Sequence, residues 1–209
     1  MAVSLSSQIS LLLPLLLQLV NFLTPSMAVL FSSLPKTIVV TASPDPGQVL
    51  HAGEDRITVR WSLNRSLPVG VDSGYEMVKF LLCYAPASQI DRGWRKTYDS
   101  LKKDKTCQFK MTTEAYGGGG AEYSYAYTVE RSIPTATYFV RAYALNADGT
   151  QVGYGQTTDD GKRANLFEVV GISGRHASLD VAAGCFSAVS VGALVIFFFV
   201  GGEEEVKKK

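Results

Sequence analysis

Ile133-Pro134-Thr135-Ala136-Thr137-Tyr138-Phe139-Val140-Arg141-Ala142-Tyr143-Ala144-Leu145, closed by Asn146-Ala147-Asp148-Gly149, is the stretch from which the fold is read. Tyr138, Val140, Ala142 and Ala144 alternate with Phe139, Arg141, Tyr143 and Leu145, so the two sets fall on opposite faces of a strand. Asn-Ala-Asp-Gly then marks a turn. The same period of two recurs upstream. Ile57, Val59, Trp61 and Leu63 alternate with Thr58, Arg60 and Ser62, and Tyr123, Tyr125, Tyr127 and Val129 alternate with Ser124, Ala126, Thr128 and Glu130. Met77–Tyr84 is apolar almost throughout, as a central strand covered on both faces should be. Further strands are expected at 36–42, 106–112, 151–157 and 166–170. Pro/Gly-rich turns separate them, His51 lies in a Gly-flanked turn, and the glycines at 117–120 read as a flexible hairpin loop. Short strands at this spacing, with no amphipathic helical pattern between them, predict an all-β chain folded as a single antiparallel β-sandwich.

The run from Ile133 to Gly149 resembles the E–F corner and following strand of fibronectin type III domains, members of the immunoglobulin-like sandwiches. That resemblance implies that the Tyr138 hydroxyl bonds back to the backbone of the corner, and that Trp61 is the core tryptophan of an earlier strand. A disulfide and a long 85–105 connection would be additions to the usual pattern.

Two apolar segments flank this domain. Residues 181–200 carry no charge, and as a helix they span roughly 30 Å, the thickness of a bilayer's hydrocarbon core. The earlier run at 11–23 is shorter, is interrupted by Pro14 and leads to Ser26 and Ala28, small residues at the −3 and −1 positions of a signal-peptidase site. The expected organisation is a signal peptide at 1–28, an extracellular sandwich with its membrane-proximal segment at 29–180, a transmembrane helix at 181–200 and a cytoplasmic tail at 201–209. An uncleaved anchor is the alternative for the first segment. Lys207, Lys208 and Lys209 agree with a type I orientation, in which Glu203 to Glu205 count for little.

With 20 Lys plus Arg against 19 Asp plus Glu, no global charge draws the chain to nucleic acid. The charge is uneven, however. Residues 91–110 hold seven basic side chains (Arg92, Arg95, Lys96, Lys102, Lys103, Lys105, Lys110) against three acidic ones. Cys83 and Cys107 are the only cysteines outside the membrane helix, and in an oxidising compartment they most simply pair. Bridging them turns the basic stretch into a loop pinned at its base. Asn64-Arg65-Ser66 is an N-glycosylation sequon. In the membrane helix Gly184, Ala188 and Gly192 fall at i, i+4 and i+8, a stripe that lets a partner helix approach closely.

Catalytic chemistry finds little purchase. There is no His-x-x-x-His, Cys-x-x-Cys or Gly-x-Ser-x-Gly pattern, and the four glycines lack the Lys-Ser/Thr of a phosphate loop. No enzyme, metal, cofactor or small-molecule substrate is therefore expected. Exposed Lys and Arg give little affinity for a weakly hydrated monovalent anion in salt, so docking of a partner is the better use for the basic loop.

Several runs sharpen this reading. They are Cys83-Tyr84-Ala85-Pro86-Ala87-Ser88-Gln89-Ile90-Asp91-Arg92-Gly93-Trp94-Arg95-Lys96-Thr97, Leu101-Lys102-Lys103-Asp104-Lys105-Thr106-Cys107, Tyr154-Gly155-Gln156-Thr157-Thr158-Asp159-Asp160 and Ile172-Ser173-Gly174-Arg175-His176-Ala177-Ser178-Leu179-Asp180. Together with the strand at 137–144 they closely resemble the plant high-affinity nitrate transporter-activating proteins, in order, over about residues 36–200. The resemblance implies a non-catalytic plasma-membrane subunit that binds, stabilises and activates a twelve-helix nitrate transporter of the major facilitator class. It attributes partner contact to the central basic segment, which by position falls on Arg95 and Asp104. Arg92, Trp94, Lys96 and Lys105 join them on local chemistry, since a guanidinium fork suits a carboxylate and tryptophan is a frequent interface anchor. A single-pass adhesion or ligand-binding receptor is the competing reading.

Overall fold

The computed structural model describes residues 28–118, 121–174 and 176–206, with the backbone only from 200 onward. All but the last residue of the expected signal peptide lies outside that range. Nine strands are present among the described residues: β1 (Ile38–Ala42), β2 (Val49–His51), β3 (Arg56–Leu63), β4 (Met77–Tyr84), β5 (Cys107–Ala115), β6 (Tyr123–Thr128), β7 (Ala136–Leu145), β8 (Gln151–Gln156) and β9 (Phe167–Val170). They form two sheets, β1-β3-β6 facing β2-β9-β7-β4-β5, with β8 also paired to β7. This is the sandwich that the alternating residues predict.

The inward-facing sets meet as expected. Trp61 is buried and stacks on Tyr123 with ring centroids 4.5 Å apart, while Phe80 packs on Tyr125 at 4.9 Å. The tyrosines of β6 therefore line the core. Tyr138 stacks on Tyr84, and its hydroxyl donates to the Pro134 carbonyl at 2.7 Å, the corner bond that its sequence context implied. Burial pushes the Tyr138 phenol well above the ordinary tyrosine pKa.

Two local expectations need correction. β5 and β6 do not pair as a hairpin, because β5 is an edge of the large sheet and β6 an edge of the small one, and residues 119 and 120 of the glycine run between them lie outside the described residues. The connection passes between sheets, and alternation says which face is apolar but not which strand lies alongside. His51 ends a short strand, β2, which runs parallel to β9 in the register Val49↔Glu168 to His51↔Val170. Three residues are too few to show a period, and parallel partners are remote in sequence.

The strand registers give the sandwich two poles. Tyr84 pairs with Tyr138, Val169 with Ala136, and Arg56 with Thr128. The 85–106 and 129–135 connections, the β2–β3 turn and the exit of the chain after Val170 therefore share one pole. The connections at 64–76, 116–122 and 146–150 share the other, where Met77 pairs with Leu145 and with Ala115.

The last element is α1 (Ala177–Val206), of which the 23 residues Ala177–Phe199 are long and apolar enough to cross a membrane. At 1.5 Å per residue they extend about 35 Å. The helix begins four residues before the uncharged run at 181–200. Gly184, Ala188 and Gly192 lie on it one turn apart, with open space beside both glycines.

Candidate partner-docking loop

The basic connection between β4 and β5 is built on the outer face and one end of the large sheet. Cys83 and Cys107 are bridged at its base, in register across β4 and β5. Tyr84 N–H donates to the Thr106 carbonyl at 2.8 Å, and Ala85 N–H to the Thr137 carbonyl at 2.9 Å. Thr137 returns a bond from its N–H to Ser88 Oγ at 2.8 Å. The Gln89 amide ties the two arms together: Nε2 donates to the Tyr84 carbonyl, and Oε1 accepts from Thr97 N–H at 3.2 Å and from its hydroxyl at 2.9 Å.

Asp104 and Arg95 turn inward. One carboxylate oxygen of Asp104 accepts from the N–H groups of Tyr98 and Thr106 and from the Thr106 hydroxyl, at 3.1, 3.2 and 2.7 Å. Local bonds of this kind replace an absent ladder and set a turn. The Arg95 guanidinium lies 4.2 Å from the centroid of the Tyr84 ring, with Nη1 donating to the Ser88 carbonyl at 3.3 Å. Only 7% of Arg95 is exposed, and Nε has no hydrogen-bond partner. Its fork is thus not open to a carboxylate, contrary to the expectation from residue type. Cation–π stacking over a core tyrosine holds it in place.

Trp94 stands beside it and points the other way, 61% exposed, although its carbonyl is held by the Gln108 amide. Arg92, Lys96 and Lys105 are exposed, and Lys105 N–H donates to the Lys96 carbonyl at 3.1 Å. The loop therefore divides into residues that shape it, Arg95 and Asp104, and residues it displays, Arg92, Trp94, Lys96 and Lys105. Ile90 and Tyr98 join the displayed set at 67% and 41% exposure. Sequence reading missed both, since an isolated apolar residue in a polar loop carries no period.

A second omission lies at the beginning of the domain. Residues 29–34 run alongside the loop, where Phe31 N–H donates to the Asp99 carbonyl at 2.7 Å and Leu101 N–H to the Val29 carbonyl at 2.9 Å. The Asp99 carboxylate accepts from Ser32 N–H and Oγ, both at 2.8 Å. With Leu101, Phe31 covers Leu81, Phe139 and Tyr143 on the outer face of the large sheet. Arg141, on the face of β7 opposite Tyr138, is buried under this layer. Its guanidinium sits 4.2 Å from the Phe31 ring centroid and donates to Gln156 Oε1 and to the Tyr143 hydroxyl. Asn64, the sequon residue, lies at the opposite pole, with its Oδ1 accepting from Ser66 N–H at 3.1 Å.

Comparison with known proteins gives one consistent result. Residues 31–174 match a family model, NAR2, described as "High-affinity nitrate transporter accessory, Ig-like domain". The chain is 55% identical over 172 residues to a rice (Oryza sativa subsp. japonica) protein named "High-affinity nitrate transporter-activating protein 2.1", covering 82% of this chain and 81% of that one. A second rice protein, "Probable high-affinity nitrate transporter-activating protein 2.2", is 51% identical over 205 residues, 93% and 94% of the two chains. "High-affinity nitrate transporter 3.1" of Arabidopsis thaliana is 51% identical over 173 residues, 81% of each. The family description is that of an accessory to nitrate transport and not of a catalyst. On the match over residues 31–174 and the identity to these relatives, the chain belongs to the high-affinity nitrate transporter accessory family, whose shared part is an immunoglobulin-like domain.

Proposed function

We propose that this protein binds a multi-span high-affinity nitrate transporter of the major facilitator class at the plasma membrane, stabilises it and keeps it active. The observation that carries the reading is the 85–106 loop: a bridged, internally bonded scaffold that displays Trp94 among Arg92, Lys96 and Lys105, on a chain whose described residues include one helix long and apolar enough to cross a membrane. A loop already ordered in the free protein loses little entropy on docking. Arg95 and Asp104 contribute by holding that shape. Arg92, Lys96 and Lys105 supply charge to partner carboxylates, and Trp94 supplies the apolar anchor. In the membrane, the Gly184, Ala188 and Gly192 stripe packs against a partner helix. The chain enters the secretory pathway through its signal peptide at 1–28, orients as type I, and carries glycan on Asn64 at the pole away from the loop.

Affinity capture of the full-length chain from plant membranes, with the co-purifying multi-span protein identified, tests this directly. Trp94→Ala should lower transporter capture by about 30-fold or more, the loss expected of an interface anchor. Full capture and full nitrate uptake with Trp94→Ala and with Arg92 and Lys96 both changed to Ala would remove the loop from the interface.

A further inference from the structure

The chain leaves the sandwich at the pole that bears the basic loop, and it is fastened there. Gly171 N–H donates to Thr135 Oγ1 at 2.9 Å. A Cβ at Gly171 would come within 2.8 Å of the Ile133 carbonyl oxygen and 2.9 Å of the Thr135 nitrogen, so the exit lies flat on the β6–β7 connection. Only residues 172–176 then separate this anchor from Ala177, where the membrane-spanning stretch opens. Five residues reach at most about 20 Å. The sandwich is roughly 30 Å tall along the ten residues of β7, so its far pole lies that much further from the bilayer.

Three connections crowd this near pole. The β4–β5 loop brings Ile90, Arg92, Trp94 and Lys96. The β2–β3 turn is tied to the β6–β7 connection by Gly53 N–H donating to the Val129 carbonyl at 2.7 Å, and the stem of Arg131 lies against Gly53. Ile90 and Trp94 are large, apolar and exposed at the end of the domain that a short tether turns toward the membrane. Arg92 and Lys96, two positions to either side of Trp94 in the chain, are exposed as well.

We infer that the near pole is the docking surface, and that its occupant is the extracellular rim of an integral membrane protein, at the level where that partner's helices leave the bilayer. This rests on the docking function proposed above and specifies where the contact lies. A rim of helix ends offers what the pole requires: carboxylates for Arg92 and Lys96, and an apolar recess for Trp94 and Ile90 close to the headgroups, where indole rings are favoured. The same short tether keeps the far pole, with Asn64 and the connections at 64–76 and 146–150, out of reach of that rim.

The test places a photo-reactive benzophenone side chain at one position at a time in the full-length chain, co-expressed with the transporter. Ile90 and Ser132 report on the near pole, and Val69 and Asp148 on the far pole. All four are exposed, so each substitution leaves the core untouched. The expected result is a covalent adduct to the transporter from positions 90 and 132 and none from 69 and 148. Capture of the transporter with adducts only from 69 and 148, or with 90 and 132 labelling only lipid, overturns the near-pole assignment and leaves the accessory function standing. Failure of the unsubstituted chain to capture any transporter overturns both.

Discussion

Replacing Arg95 separates a residue that shapes the loop from one that touches a partner. In Arg95→Ala the stack over Tyr84 and the charge-assisted bond to the Ser88 carbonyl are both lost. A desolvated cation–π contact contributes about 2 kcal/mol and a hydrogen bond from a charged donor about 1.5–3 kcal/mol. Against these stands the cost of burying a guanidinium whose Nε is unpartnered, again a few kcal/mol at most. A net loss of about 2 kcal/mol in loop closure follows, close to a 30-fold rise in the open population. The core does not depend on that closure, because the bridge and the β4–β7 ladder remain. Limited trypsinolysis under native conditions reads the opening directly, since Arg92, Lys96, Lys102, Lys103 and Lys105 are exposed cleavage sites. Nicking within 92–105 should accelerate by about 30-fold, with the fragments still joined until reduction. Arg95→Lys should fall between, since an ammonium keeps the charge but cannot lie flat on the ring. Transporter capture should fall as nicking rises across the three proteins. Unchanged nicking in Arg95→Ala together with lost capture would refute the reasoning and mean that the guanidinium meets the partner itself.

Three further outcomes follow from the same geometry. Changing Cys83 and Cys107 to Ser releases a loop of 24 residues' separation, for which the chain-entropy relation gives about 3.5 kcal/mol; a denaturant midpoint unmoved in the double variant would contradict it. Gly155→Ala should destabilise by about 2 kcal/mol or more, because its Cβ would collide with the Ile38 carbonyl where β8 crosses β1; a change within 0.5 kcal/mol, about the noise of surface substitutions, would show that β1 can yield. Burial raises the phenols of Tyr125, Tyr138 and Tyr143 above their unfolded value near 10. A raised folded pKa means that the unfolded chain loses its protons first, so stability holds below about pH 10 and falls as pH rises past it. Phenolate absorbance from these rings should therefore appear together with unfolding, and ionisation ahead of it would place them in water.

The path of the backbone was largely legible because one face of each strand is apolar and the other is not. Met77–Tyr84 and the strand holding Tyr138 announce themselves by their apolar side chains, and the Pro134-to-Tyr138 corner by a bond between neighbours in sequence. Cys83 and Cys107 could be paired by elimination. The membrane helix needs only length and absence of charge. These features are local, or are counts, and a linear string carries both.

What only the tertiary structure decided is which side of the docking loop faces out. Arg95 and Arg141 look like surface cations in the chain, yet each is buried against an aromatic ring of another element, Tyr84 at the end of β4 and Phe31 at the start of the domain respectively. Asp104, an acid in a basic run, spends its carboxylate on backbone N–H groups, while Trp94 and Ile90, apolar by type, stand in solvent. The shared pole of loop and membrane exit likewise arises from strand registers across β4, β7 and β9. Residue type determines what a side chain is able to do. Burial and orientation come from long-range pairing, which no local pattern encodes, and they determine which of those capacities is presented to a partner.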